Sequence, residues 1–284
     1  DDLSDGHKFR HLASAKIADY LDRDDFRDRI LAGADFGPVE AVFHQGACTD
    51  TTEWDGRYMM DNNFEVSKEI FAWCQARRIP LVYASSAAVY GAGTTFTETV
   101  DGLTPLNVYG WSKLLFDQWV ARHDELRARV VGLRYFNVYG PGESHKARMA
   151  SVVHHFSRQV EENGVARLFA GSHGCADGEQ RRDFVFVGDA VQVNLWAAGS
   201  DKAHGFYNVG TGAARTFNDV ANTIIEFHGR GEIEYIPFPD DLRHAYQAVT
   251  QADIERLREA GYAEPFTTIE EGIPATLGAN LASA

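Results

Sequence analysis

Leu81-Val82-Tyr83-Ala84-Ser85-Ser86-Ala87-Ala88-Val89-Tyr90-Gly91 reads as a buried strand that runs out into small polar residues and a turn. Residues 81–84 form an apolar run of strand length, and Gly91 punctuates the loop behind it. Helical spacing follows. Residues 109–122 place Leu114, Leu115, Phe116 and Trp119 largely on one face. Upstream, residues 39–44 form another short apolar run, and residues 62–78 another amphipathic stretch carrying Val66, Ile70, Phe71 and Cys74. Residues 130–136 and 184–187 continue the strand series. Strand, helix, strand, helix predicts the α/β class: a doubly wound parallel sheet wrapped by helices.

After about Pro141 the pattern loosens into loop-rich segments at 142–149 and 171–182, with helices expected near 217–227 and 251–260. The expected organisation is a Rossmann-like dinucleotide-binding domain over residues 1–140, with returning segments after 184. A smaller C-terminal substrate lobe would occupy most of 141–284, interleaved with the first. Such a sheet normally opens with a strand, a Gly-rich turn and a helix whose N-terminus receives a pyrophosphate. No such unit is present here: Gly6 is the only glycine before Leu31, and Asp1-Asp2-Leu3 reads as the end of a second strand. The first β-α arm is therefore missing, and roughly 30 residues are expected to precede Asp1.

The chain has 284 residues and a formal net charge of -14. That charge argues against a nucleic-acid surface or adhesion to anionic lipid, since both need basic patches. No apolar run reaches the roughly 18–20 residues of a membrane helix. Cys48, Cys74 and Cys175 are odd in number and far apart, which argues against a disulfide framework or a metal site and fits a reducing, cytoplasmic location.

The chemistry concentrates in Tyr109-Gly110-Trp111-Ser112-Lys113. A Tyr and a Lys four apart share a helix face. An ammonium there is expected to lower the phenol pKa, so that Tyr109 can exchange a proton with a hydroxyl while Lys113 assists. A surface pair at this spacing is common, but two strand ends converge on it. Ser86 stands 23 residues earlier, and Arg134-Tyr135-Phe136-Asn137-Val138-Tyr139-Gly140-Pro141 begins 25 residues later. Ligands collect at the carboxyl ends of parallel strands.

Ser86 with Val89-Tyr90-Gly91, the Tyr-x-x-x-Lys pair and Arg-Tyr-Phe-Asn-Val-Tyr-Gly-Pro together resemble the extended short-chain dehydrogenases/reductases that act on nucleotide sugars. Finer stretches resemble the ADP-L-glycero-D-manno-heptose 6-epimerase branch: His44-Gln45-Gly46-Ala47-Cys48-Thr49, Thr51-Thr52-Glu53-Trp54-Asp55-Gly56, Tyr58-Met59-Met60-Asp61-Asn62-Asn63, Arg182-Asp183-Phe184-Val185 and Tyr235-Ile236-Pro237-Phe238-Pro239. The resemblance spans essentially the whole chain. It implies an NADP-dependent, redox-neutral epimerisation at C6 of ADP-D-glycero-D-manno-heptose through a transient ketone. Tyr109 would serve one face of that ketone and Lys146 the other, if burial or nearby cations tune its amine.

For the cofactor, the resemblance implies Asp1, Asp2 and Lys8 at the adenosine end, then Gln45, Gly46, Ala47, Cys48 and Thr49, with Asn62, Lys113, Val138 and Lys146. For the ADP-heptose substrate it implies Ser86, Asn137, Arg148, His155, Phe169, Ala170, Gly171, Ser172, Arg182 and Tyr246. It further implies a homo-oligomer. Glu is usual in that branch where this chain has Gln45, and the 172–180 segment is longer and more acidic than the family pattern. A 4-epimerase, a 4,6-dehydratase or a non-catalytic cofactor-binding module are the competing readings. Ala87 and Ala88 beside the serine, where a dehydratase carries an acid, weigh against the second.

Overall fold

The computed structural model describes residues 2–240 and 246–283. Two short helices come first, α1 (Phe9–Leu12) and α2 (Arg23–Leu31). Strand β1 (Val42–His44) leads through α3 (Gly56–Met60), a π-helical turn (Asp61–Glu65) and α4 (Val66–Arg77) to β2 (Leu81–Ser86). Helix α5 (Val108–Ala121) connects β2 to β3 (Val130–Tyr135). The second half runs β4 (Asn137–Tyr139), α6 (Val152–Asn163), β5 (Val165–Phe169), β6 (Arg181–Arg182), β7 (Phe184–Phe186), α7 (Val187–Gly199) and β8 (Gly205–Val209). It continues through β9 (Arg215–Thr216), α8 (Phe217–His228), β10 (Glu232–Ile236), α9 (Glu255–Glu259) and α10 (Ile269–Ser283).

The main sheet is parallel throughout, in the order β1-β2-β3-β8, so the expected fold class holds. Its two faces follow the period-two alternation of β2. Leu81 and Tyr83 pack with Ile70, Phe71, Cys74, Phe116 and Val120 from α4 and α5. Val82 packs on the other face with Ala190, Val193 and Ala197 of α7 and Leu257 of α9. Helices cover both faces, and every strand delivers its carboxyl end to one edge. A separate core gathers Val153, Phe156 and Val160 of α6 with Leu168 of β5, Ile224 of α8 and Ile273 of α10. Strands β5 and β10 pair beside it as a two-stranded parallel ribbon.

Several expected boundaries move. The first run narrows from residues 39–44 to β1, and Val187 opens α7 rather than closing a strand. The stretch over 62–78 is interrupted at its start, because the π-helical turn inserts one residue into the hydrogen-bond ladder. Helix over 251–260 is confined to α9. Asp2 and Leu3 lie in no strand, and Asp1 falls outside the described residues.

Candidate functional site

Asn107 starts α5: its side chain accepts the Gly110 N–H at 2.8 Å and satisfies a donor that the first turn leaves open. Tyr109, Lys113 and Asp117 then fall on one face, opposite the carboxyl end of β2. The approach is close. A Cβ on Gly110 would stand 2.7 Å from the Ala88 carbonyl oxygen, so glycine lets the first turn of α5 reach the loop behind Ser86. Gly91 closes that loop at φ 58, where a Cβ would lie 1.7 Å from the Thr104 carbonyl.

Three layers of contact join the helix to the strand. Ser86 hydrogen-bonds the Tyr109 phenol while its Oγ accepts the Ala88 N–H at 3.1 Å. Lys113 Nζ donates to the Ala84 carbonyl at 2.9 Å. Below them Asp117 accepts from Tyr83 Oη at 2.9 Å, Ser85 Oγ at 3.0 Å and Arg134 Nε at 2.9 Å. Both members of the Asp117–Arg134 pair are fully buried, and burial pushes the Asp117 carboxyl up against the pull of Arg134.

The electrostatics differ from the sequence expectation. Burial pushes the Tyr109 phenol up, with the Ser86 hydrogen bond opposing it, and Lys113 is not what governs it. The ammonium itself is the perturbed group: burial brings Lys113 down to about 8 while Asp117 holds it up. His44, beneath the same site, is held down to about 3 by burial and by the Lys113 charge, and its ring contacts Ser67 Oγ at 2.8 Å.

The loop over Gln45, Gly46, Ala47, Cys48 and Thr49 leaves β1 at the carboxyl edge, as expected. Asn63 fixes it. The side chain, 1% exposed, accepts the Cys48 N–H at 2.8 Å, donates to the Cys48 carbonyl at 2.9 Å and reaches Ser112 Oγ at 3.0 Å. Gln45 bridges Asn194 at 3.0 Å and Tyr135 Oη at 3.0 Å. With Phe43, Val138 and Leu195 these groups border an apolar hollow of about 370 Å³. A neutral amide suits this neutral trio, which gives Gln45 a role that a carboxylate would fill with more charge.

At the other end of the edge, Lys8 Nζ lies 3.1 Å from the Asp2 carbonyl and 3.4 Å from its carboxylate. Arg23 joins them, 3.8 Å from Asp2 and 3.5 Å from Asn62 Oδ1. Two cations and a carboxylate beside Asn62 fit a ribose phosphate, with the apolar hollow available for a flat ring. These residues are therefore compatible with a dinucleotide. Sequence reading missed Arg23, one of three arginines among three aspartates in α2, with nothing local to set it apart.

Lys146 lies on the loop between β4 and α6. It is 47% exposed and stands 3.8 Å from the Glu143 carboxylate, so the expected burial is not present. Arg148 reaches back across the cleft to Asp50 at 2.5 Å, and its carbonyl meets His155 Nε2 at 3.4 Å. Asn137 opens β4 with its N–H on the Asp183 carbonyl at 3.0 Å.

The remaining expected residues form a distal cluster. Phe169 packs edge-on against Phe238, which meets Tyr246 in turn. Arg182 is buried, stacks 4.7 Å from the Tyr246 ring and hydrogen-bonds that residue; burial pulls its pKa down. Ala170 bonds to Ile236, Gly171 N–H to Asp177 at 2.6 Å, and Ser172 to Gln180 at 3.1 Å. The longer acidic segment thus folds onto this cluster. Asp117, Asn63, Arg23 and Glu143 were not foreseen; only Asp117, four residues past Lys113, had a readable spacing.

Residues 2–210 match the model of the NAD dependent epimerase/dehydratase family. A protein of Alkalilimnicola ehrlichii named ADP-L-glycero-D-manno-heptose-6-epimerase is 60% identical over 96% of this chain and 86% of its own length. The crystal structure of the Helicobacter pylori ADP-L-glycero-D-manno-heptose-6-epimerase superposes with a TM-score of 0.81 at 31% identity, covering 96% of this chain and 82% of that one. A Thermus thermophilus UDP-glucose 4-epimerase complexed with NAD is similar at 26% identity and TM-score 0.72, over 87% of this chain and 79% of its own. With the Ser86, Tyr109 and Lys113 layers at the carboxyl edge of its parallel sheet, this chain belongs to the NAD-dependent epimerase/dehydratase family.

Proposed function

We propose that the protein epimerises ADP-D-glycero-D-manno-heptose at C6 to the L-glycero form with NADP as its resident cofactor. The observation that carries the reading is the pair of contacts Ser86–Tyr109 and Lys113–Ala84 that joins α5 to the end of β2, in a chain 60% identical to an enzyme of that name. A bound nicotinamide would supply the hydride acceptor and donor for C6, leaving the proton of the C6 hydroxyl to the protein's own groups. Tyr109 holds and moves the proton at the C6 oxygen, with Ser86 orienting the phenol. Lys113 keeps its ammonium under the site through the Ala84 carbonyl. Lys146 supplies a second proton-handling group for the opposite face of the ketone. Arg182, on its aromatic bed, pairs with a diphosphate oxygen, and Tyr246, Phe169 and Ser172 enclose the nucleotide end.

NADP rather than NAD is supported by Lys8 and Arg23 converging on Asp2, where a 2′-phosphate would find two cations. Residues 1–140 with α7 and β8 make the cofactor half, and the α6, α8 and α10 core supports the substrate half. A homo-oligomer is supported by Trp54, Tyr58 and Trp111, which are 71%, 44% and 47% exposed around α3 and α5. A cytoplasmic setting is the natural companion of three free thiols. Among the described residues no helix is long and apolar enough to cross a membrane.

The test is incubation of the purified protein with ADP-D-glycero-D-manno-heptose and either NADP or NAD, followed by proton NMR of the sugar. Interconversion of the two epimers with NADP preferred is expected. Loss of water would point to a dehydratase, and no change with either cofactor to a binding module.

A further inference from the structure

Glu143 is the buried carboxylate of the loop between β4 and α6, with its side chain 6% exposed. A carboxylate in such a place needs donors around it. It has them at both ends of the loop. Oε1 accepts the Gly140 N–H at 3.2 Å and the Ser151 hydroxyl at 2.7 Å, while Oε2 accepts the Ser151 N–H at 2.8 Å. Ser151 in turn caps α6 by accepting the His154 N–H at 3.3 Å. One side chain thus clasps the start and the finish of the segment that carries Lys146. It also touches Lys146 itself: the ammonium stands 3.8 Å from Oε2, and the Lys146 N–H donates to the Glu143 carbonyl at 2.9 Å.

The clasped segment is strained. Ala147 sits at φ 47 and ψ −126, a left-handed conformation that a Cβ-bearing residue avoids. Such a backbone persists only when its surroundings over-determine it, and it aims the side chains on either side. Those side chains are Lys146 and Arg148. Arg148 is tied off on Asp50, and Lys146 on Glu143. Lys146 is thus held through its backbone and, more loosely, through its charge, and a misplacement of about 1 Å at a reacting group is costly.

We propose that Glu143 is a positioning residue of the epimerisation, setting the place of the Lys146 ammonium by closing its loop and pairing with its charge. This rests on the reading of Lys146 as the second proton-handling group. Glu143 itself touches no reacting atom.

The test is a double-mutant cycle on epimerisation of ADP-D-glycero-D-manno-heptose with NADP: wild type, Glu143→Gln, Lys146→Met and the double variant, with melting midpoint and substrate affinity measured on each. Glu143→Gln should lower kcat about 10–100-fold, the range for loss of a residue that orients a reacting group, with KM within about twofold. The double variant should be no slower than Lys146→Met alone. If Glu143→Gln does not fold, Ser151→Ala removes one Glu143 contact together with the α6 cap and leaves the charge, and the same non-additivity is expected at a smaller amplitude. Multiplying effects in the double variant would make Glu143 purely structural and overturn the proposal. A wild-type-like Glu143→Gln beside an inactive Lys146→Met would overturn it while sparing the Lys146 reading. A fully active Lys146→Met would remove that reading and the proposal with it.

Discussion

His44 is a neutral imidazole sealed under the cofactor-side loop, and protonating it should unfasten that end of the sheet. Burial and the Lys113 charge hold its pKa down to about 3 against an ordinary 6.5. A group with a depressed folded pKa contributes stability that is complete above its unfolded pKa and lost as pH falls toward the folded one. Here the window runs from 6.5 down to about 3. At about 1.4 kcal/mol for each pH unit, the whole gap is worth about 5 kcal/mol, and at pH 5 about 2 kcal/mol of it is already gone. The perturbation is His44→Asn, which keeps a donor near Ser67 Oγ and removes the titration. The variant should lose about 1–2 kcal/mol at pH 8 through poorer packing, yet its stability should fall less steeply below pH 6.5. Urea midpoints at pH 8, 6, 5 and 4 read this directly. Because other carboxylates titrate in both proteins, the difference between the two curves isolates His44. Parallel curves over the whole range would show that the imidazole does not carry acid sensitivity and that its burial penalty has been misjudged.

Tyr109→Phe should lower kcat by about 10²–10⁴, the usual cost of losing a general acid–base group, without moving the melting midpoint by more than a few degrees; near-normal turnover would remove the phenol from the chemistry. Arg182→Met keeps apolar bulk against Tyr246 but removes the charge, so KM for the ADP-sugar should rise about 10–100-fold, as for a lost charge-assisted hydrogen bond, with kcat little changed. Steady-state kinetics separate the two, and a fall in kcat alone would move Arg182 away from the diphosphate. Gly91→Ala should destabilise by about 2–4 kcal/mol, combining a left-handed backbone with a clash against Thr104; calorimetry that finds an unchanged midpoint would refute the close approach.

Strands β1 to β3 were legible because they are short apolar runs separated by amphipathic helices, a signal that lives within a dozen residues; β8 was not foreseen, and the run at 184–187 became β7, which pairs with β4 outside the main sheet. Strand β10 was not legible, since Glu232-Ile233-Glu234-Tyr235-Ile236 runs as a largely exposed ribbon with two of its five residues charged. Helix α10 escaped because Pro274 lies inside it. Tyr109, Lys113 and Ser86 were readable from spacing on one helix and one strand end. Asn63 was not: its partners, Cys48 and Ser112, are 15 and 49 residues away, and nothing local distinguishes it from Asn62. The direction of the Tyr109 shift was misread for a related reason. Spacing shows that an ammonium is near a phenol, but only packing shows that the same burial strips water from both.

The Arg148–Asp50 bridge closes the rim of the cleft with side chains that are 67% and 29% exposed. A tie so wet is worth about 0–1 kcal/mol and weakens with salt. It behaves as a latch that thermal motion lifts unaided. Loops of this kind move in nanoseconds to microseconds, whereas a typical enzyme turns over about ten times a second. The side-chain tie at the rim can therefore open and close many times within a cycle of that length, while the buried Glu143 contacts keep the ends of its loop in place.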